Sequence, residues 1–400
     1  MKFAFVSYYL PPTGSGQAMV IYRLLKEMDA KNYCLISSSG SANGNQNGYS
    51  GKLPADTFHL RPLSLFRRGG RFGFTKLRNL INIPLGLFQR TKQIAEIVRR
   101  ERCEAIVACT GGPDLLDLPA GYFASRWTGV KFYPYIFDYY SYQWAGSNSW
   151  GRYESQFFPD KLEKLTLRGA TEIIVPNEFL RDDLKRRHHV DSTIIRNPCD
   201  LSDYGLPTPH ETIPKRGDFR IVYTGAVYEA HYDAFRNLIA ALNLLNRPDV
   251  KLHLYTEQSR DALGSQGIKG PVVFHEHQAL SAMPAIQQQA DLLFLPLAFD
   301  SPYPEIVKTS APGKTGEYLA AGTPVLVHAP ADSFLIWYFR EHGCGMVVEQ
   351  RDPQQLAVAI ARLLDEPELR NKLSQRARAQ AEADFSIATA QAAFNRLMSL

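Results

Sequence analysis

Along the chain, short continuous apolar runs alternate with segments whose apolar positions recur every three to four residues, and the alternation is played twice. Phe3-Ala4-Phe5-Val6 reads as a buried strand. After a loop holding Pro11, Pro12, Gly14 and Gly16, the positions Ala18, Ile21, Leu24, Leu25 and Met28 fall on one helical face. Further strands are predicted at 33–37, 105–109, 132–137 and 172–176, with a helix over 161–168. Around Asn197-Pro198-Cys199-Asp200 the pattern breaks. The following stretch carries Gly205, Pro207, Pro209 and Pro214 with little periodic apolar content, the composition of a linker. The alternation restarts at Arg220-Ile221-Val222-Tyr223-Thr224-Gly225, a strand running into a glycine turn. A helix over 234–245, strands at 250–255, 272–275, 291–296 and 324–327, and helix from 351 to the end complete it. The expected class is α/β with two doubly wound domains, 1–200 and 218–384, joined by a linker at 201–217 and followed by a helix at 385–400.

Composition narrows the class. A chain of 400 residues with 45% apolar content suits two domains of about 150 to 200 residues rather than one core. Charged residues at 21%, with 22 Phe and 20 Tyr, exclude a disordered chain. Five scattered cysteines without a C-x-x-C pair indicate neither a disulfide framework nor a zinc site, which favours a reducing cytoplasm. The opening run Phe3 to Val6 is too short for a signal peptide, and no run of roughly 18 apolar residues would span a membrane. A soluble or peripheral cytoplasmic protein is expected.

The net charge is +5, but its distribution says more: between Arg61 and Arg102 eleven Lys/Arg stand against two acids, Glu96 and Glu101. Phe66, Phe72, Phe74 and Phe88 are interleaved with that charge. The alternation suits anionic lipid headgroups, at about 1 kcal/mol per basic residue near the surface. A solvated helical face is the other reading. No nucleic-acid motif accompanies the charge, so nucleic acid is not expected as a partner. The Asn/Gly/Ser-rich stretch 37–51 reads as a surface loop.

The most informative string is Pro312-Gly313-Lys314-Thr315-Gly316-Glu317-Tyr318-Leu319-Ala320-Ala321-Gly322-Thr323-Pro324. Proline pre-set for a first helical position, and two glycines in the first turn, would let an anion approach backbone amides whose dipoles favour it. Lys314 adds a full charge. Glu317, one turn on, is badly placed beside phosphate but suited to accept two hydroxyl hydrogen bonds from a ribose. Gly322 would end the helix as a left-handed cap before a buried strand. The Gly-Lys-Thr triplet is not a P-loop, because Lys308 stands where that motif needs its first glycine.

This string resembles the nucleotide-sugar helix of family 4 glycosyltransferases, retaining enzymes of the GT-B fold, in which two Rossmann-like domains face each other across a cleft. The resemblance runs over roughly 220–385. It implies that Glu317 binds the donor ribose, that Gly313, Lys314 and Thr315 meet the diphosphate, and that the last helix crosses back onto the first domain. Gly225 aligns with the glycine turn after that domain's first strand. Where many members then carry arginine, and lysine five residues later, both on the diphosphate, this chain has Ala226 and His231. Lys314, with Lys308 as the second candidate, would supply the missing charge. A second departure is Thr309, eight residues before Glu317, where the family has a glutamate for the donor sugar. Sugar contact then falls to Glu305, Thr309 and Ser310.

In the first half, Asp138 ends the strand Tyr133-Pro134-Tyr135-Ile136-Phe137, where many members carry histidine or aspartate beside the reacting sugar carbon. A carboxylate there could bond a donor hydroxyl or meet oxocarbenium-like charge; a turn or N-cap acid is the alternative. Gly14 and Gly16 occupy the place of the family's glycine loop near the donor phosphate. The segment 167–178 reads as architectural, and His188, His189, His275 and His277 as surface or cleft residues without zinc spacing. The resemblance thus implies a transferase moving a sugar from a nucleotide-sugar donor to a saccharide or lipid-linked glycan acceptor. The departing phosphate would take the acceptor proton, and neither cofactor nor metal is expected. A nucleotide-sugar epimerase of the same shape and a silent binding module are the rival readings.

Overall fold

In the computed structural model, residues 1–39, 51–61, 75–112, 115–140, 157–206, 218–276 and 278–399 are described. Most of the predicted linker (207–217), most of the Asn/Gly/Ser-rich loop (40–50), the basic cluster at Arg67, Arg68 and Arg71, and His277 lie outside them. The chain divides into two compact units, one of 1–196 with 391–400 and one of 197–390.

The first unit is built on a seven-stranded sheet. Its strands are β1 (Phe3–Ser7), β2 (Tyr33–Ser37), β3 (Thr57–His59), β4 (Ala105–Cys109), β5 (Lys131–Tyr135), β6 (Ile174–Val175) and β7 (Thr193–Ile194), in the order β3-β2-β1-β4-β5-β6-β7. Every pairing is parallel. β1, β2 and β4 are buried along their whole length because helices cover both faces, and for that reason they read as continuous apolar runs. β3 and β7 carry no such run. They are short edge strands, partly or fully exposed, and escape an apolar-periodicity reading.

Helices Thr75–Arg100 and Asp117–Thr128 cover one face. The second lies so close to the sheet that a Cβ on Gly121 would stand 2.8 Å from the Cβ of Ala108. Between the two helices, Arg90 Nη1 donates to the buried Asp117 carboxylate at 2.8 Å, and Ser38 Oγ donates to its other oxygen at 2.8 Å. Arg99 donates to Trp127 O, and the Arg100 guanidinium sits 4.5 Å over the Phe58 ring. Part of the basic stretch is therefore internal glue rather than a free charged face. From the helix Ile387–Met398, the Phe394 ring packs edge-on to Phe3 at 5.6 Å, and Gln391 Nε2 donates to Leu24 O.

The second unit holds a six-stranded, all-parallel sheet. Its strands are β8 (Phe219–Thr224), β9 (Val250–Tyr255), β10 (Val272–His275), β11 (Leu292–Pro296), β12 (Val325–His328) and β13 (Met346–Val348), in the order β10-β9-β8-β11-β12-β13. Numbered within the unit this is 3-2-1-4-5-6, the doubly wound order whose direction of growth reverses between β8 and β11. Helix Tyr232–Leu245 packs with Pro353–Asp365 over a core of Ile221, Phe235, Leu252, Leu292, Leu356 and Ile360. The unit's ends are tied together, since Cys199 N donates to Phe385 O at 2.7 Å. Phe394 is fully buried against β1, so Phe394→Ala is expected to destabilise the first unit by about 3–5 kcal/mol. Urea denaturation followed by tryptophan fluorescence measures it, and a loss under about 1 kcal/mol would mean the helix adds little to that core.

Candidate functional site

In a doubly wound sheet, ligands bind outside the carboxyl ends of the strands where the order reverses. In the second unit that point lies beyond β8 and β11. The loop after β8 begins at Gly225, whose φ of 110° belongs to glycine. The loop after β11 is held to it, because Ala298 N donates to Ala230 O at 2.7 Å. Asp233, buried in the first turn of helix Tyr232–Leu245, accepts the N–H groups of Phe299 and Asp300, each at 2.9 Å.

Helix Lys314–Ala321 meets the same point. Tyr318 is fully buried, and its hydroxyl accepts the backbone N–H of Thr224 at 3.0 Å. Gln287 Nε2 donates to Thr224 Oγ1 and Gln287 Oε1 accepts from Tyr204 Oη, so the end of β8 is bonded from several sides. The helix starts at Lys314, with Gly313 as its N-cap in helical conformation, so Pro312 stands before the helix rather than at its first position. Gly322 ends it in the left-handed conformation, at φ 64°.

The two first-turn glycines have different causes. Nothing lies within 4 Å of where a Cβ on Gly313 would stand, so no packing against it requires that glycine. Gly316 is instead covered by the Phe385 ring, which a Cβ would meet at 3.0 Å; packing, not ligand approach, requires that glycine.

Lys314 and Gly225 are brought together. The ammonium lies 3.2 Å from where a Cβ on Gly225 would stand, donates to Tyr223 Oη at 2.6 Å, and sits 4.0 Å from the Tyr223 ring centroid. Burial pushes its pKa down to about 8, against a smaller upward pull from Glu317. His231 is buried beside it, with its ring 6.0 Å from that of Tyr223. Desolvation, and then the charge of Lys314, hold His231 down to about 3, so it is neutral at physiological pH. Nδ1 of His231, Oδ1 of Asp233 and Oγ1 of Thr315 are buried without a hydrogen-bond partner. Glu317 is half-buried one turn along.

The loop residues expected on the sugar are less gathered. Glu305 is exposed. Lys308 is exposed and pairs with Asp332 at 3.6 Å. Thr309 is buried, with its hydroxyl donating to Glu305 O, and Ser310 is half-buried. Sequence reasoning missed Tyr223, Asp233 and Tyr318. A tyrosine inside a strand and another inside an amphipathic helix both read as core, and only the coordinates show their hydroxyls in use.

In the first unit, Gly14 and Gly16 flank Ser15, whose hydroxyl caps helix Gly16–Leu25 by accepting from Ala18 N. A Cβ on Gly16 would meet nothing within 4 Å. Asp138 follows β5 in a turn that is fixed on both sides. Phe137 N donates to Thr110 Oγ1, and Tyr140 N donates to the fully buried Glu163 carboxylate. Asp138 itself makes no hydrogen bond among the described residues, and burial raises its carboxyl to about 6. Of the histidines read as surface or cleft residues, His189 is exposed, whereas His188 is buried with Nε2 3.2 Å from Glu163, and the half-buried His275 has Nε2 2.9 Å from Nδ1 of the buried His253.

Two doubly wound parallel-sheet units, each with helices on its faces, define the GT-B fold. The chain superposes on sucrose-phosphate synthase from Thermosynechococcus elongatus with a TM-score of 0.69 at 15% identity, over 100% of this chain and 98% of that one. It superposes on Anabaena HepE in complex with UDP with the same score and identity, over 100% of both. A Listeria monocytogenes chain described as a UDP-N-acetylglucosamine 2-epimerase shares the fold at 0.58 and 14%, over 99% and 94%. At these identities the likeness shows the fold alone. Residues 218–366, within the second unit, match the family model of group 1 glycosyl transferases. No curated protein matches the chain by sequence.

The folded Asp138 carboxyl keeps its proton up to about pH 6, whereas an unfolded one releases it near about 4. The fold therefore loses stability as pH rises between those values. Asp138→Asn is expected to melt higher than the wild type above pH 6, with the difference vanishing below about pH 4. Scanning calorimetry across that range checks it, and equal melting temperatures at pH 7.5 would mean the carboxyl is not held in an unfavourable place.

Proposed function

We propose that this chain is a retaining, metal-independent glycosyltransferase of family 4. It would move a sugar from a nucleoside-diphosphate donor to a saccharide or lipid-linked glycan, at the cytoplasmic face of a membrane in surface polysaccharide or glycolipid synthesis. The observation that carries the donor half is the Lys314 ammonium beside Gly225 at the switch point of the second sheet, at the N-terminus of helix Lys314–Ala321. A cation and a helix N-terminus at that place suit a diphosphate, and Glu317, one turn on, suits a ribose. The group 1 match over 218–366 favours transfer over epimerisation. The HepE complex holds UDP, which makes uracil the first base to try.

In this reading Lys314 and the helix dipole stabilise the leaving diphosphate, whose oxygen takes the acceptor proton. The Asp138 carboxylate, which has no hydrogen-bond partner among the described residues, meets positive charge building on the anomeric carbon. The domain limits proposed from the sequence, a donor domain over 218–384 and an acceptor-side domain over 1–200, go with it.

Glu317→Ala is expected to weaken nucleoside-diphosphate binding by about 1.5–3 kcal/mol, more than tenfold, in a protein that still folds. Calorimetry with UDP, GDP, ADP and dTDP in parallel tests this and names the base; unchanged affinity would remove the ribose role. Lys314→Ala should lower turnover more than affinity, since its charge matters most as the diphosphate departs. Consumption of donor sugar only when an acceptor is present separates transferase from epimerase.

For the acceptor side, the excess of basic residues over 61–102 is proposed to meet anionic lipid. Co-sedimentation with anionic vesicles should then fall steeply as salt shortens the Debye length below about 10 Å. Neutralising Arg67, Arg68 and Arg71 together should lower it further without touching donor affinity. Equal binding to neutral vesicles, or none at low salt, favours a soluble acceptor.

A further inference from the structure

Lys314 is the one residue of the donor site whose charge has to be both present and free to move, and what holds it is neutral. Lys314 makes no ion pair among the described residues. Its ammonium donates to Tyr223 Oη at 2.6 Å and stands 4.0 Å from that ring's centroid. Tyr223 in turn cannot swing. It is fully buried, its ring meets Phe235 edge-on at 4.9 Å, and its hydroxyl donates to Ala226 O at 2.7 Å. With its proton committed to Ala226, the phenol oxygen presents lone pairs to the ammonium, and the ring face adds a cation–π attraction. On the remaining side, Gly225 leaves the space a Cβ would take.

We propose that Tyr223 is a positioning residue for the donor reaction: it seats the Lys314 ammonium at the mouth of the β8–β11 switch point by a hydrogen bond and a ring face. This rests on the reading of Lys314 as the cation that meets the diphosphate. A carboxylate in the same place would bind the ammonium more tightly, and an incoming diphosphate would have to displace it; a phenol gives the charge up at little cost. Burial brings the amine to about 8, below its ordinary value. Glu317 on the same helix pulls that value up, whereas His231 is neutral and adds no charge.

The anion-binding form is the protonated amine. UDP affinity in the wild type should therefore decline as pH rises past about 8, with proton uptake on binding above that point. Tyr223→Phe keeps the ring and removes the hydroxyl. The expected result is a three- to tenfold weaker affinity for UDP at pH 7, roughly the effect of one hydrogen bond. The alkaline decline should also move to lower pH, because the ammonium loses an acceptor that favours its charged form. Thermal unfolding of Tyr223→Phe, whose ring fills the same space, checks that the variant is folded.

Titration calorimetry with UDP from pH 6.5 to 10 in wild type, Tyr223→Phe and Lys314→Met reads all of this. Lys314→Met should weaken binding and abolish the alkaline decline. If it does so while Tyr223→Phe binds like the wild type with its decline still near 8, Lys314 keeps its role and the positioning role of Tyr223 is overturned. If Lys314→Met itself binds UDP like the wild type, the reading of Lys314 fails and the proposal with it.

Discussion

Where β8 and β11 part, the backbone N–H of Thr224 has no strand to bond to. Register between the two strands ends at Val222 with Leu293, while the next amide, of Gly225, turns the other way and reaches Tyr255 O. A buried N–H left unpaired would cost about 1–3 kcal/mol. Tyr318 supplies the acceptor, and in doing so seats helix Lys314–Ala321 on the end of β8. The rest of the site follows from that bond. One turn earlier on the helix, the Lys314 side chain comes to lie over Gly225 and Tyr223. The far side of the helix is fixed by Phe385, whose contact with Gly316 leaves no room for a side chain there.

The parts of this arrangement readable from the sequence are those that repeat a local rule. Strands covered on both faces read as apolar runs, and so β1, β2, β4, β8, β9 and β11 were legible, as was Gly322 as a left-handed cap. The fold class follows from their order. The strands that were not legible, β3, β7 and β13, have three residues or fewer, and each is only partly buried. In the site, Lys314 and Glu317 stand out because a charged residue in a glycine-rich first turn is unusual. Tyr223 and Tyr318 do not, since a buried ring and a buried hydrogen-bonded ring look alike in sequence. Gly316 was legible as a constraint but not as to its cause. The apolar partner that demands it lies 69 residues downstream, in a turn of wide helix at Ala381–Phe385.

Charge at the switch point is scarce, and the scarcity has a physical reason. The loop after β8 carries Ala226 and His231, and His231 is buried deeply enough to stay neutral down to about pH 3. It can offer a ring nitrogen to a ligand, but no charge. Lys308 is exposed and already paired with Asp332. Lys314 is thus the cation that the described residues place at the end of β8. Partly burying a single ammonium costs desolvation, which is visible in its lowered pKa. The same burial strengthens its pull on an anion, because the attraction grows as the local dielectric falls. A second cation nearby would have raised the cost of both while the site is empty. With one, a phenol and a ring face hold the charge in place, and an incoming dianion is met by a cation already partly desolvated.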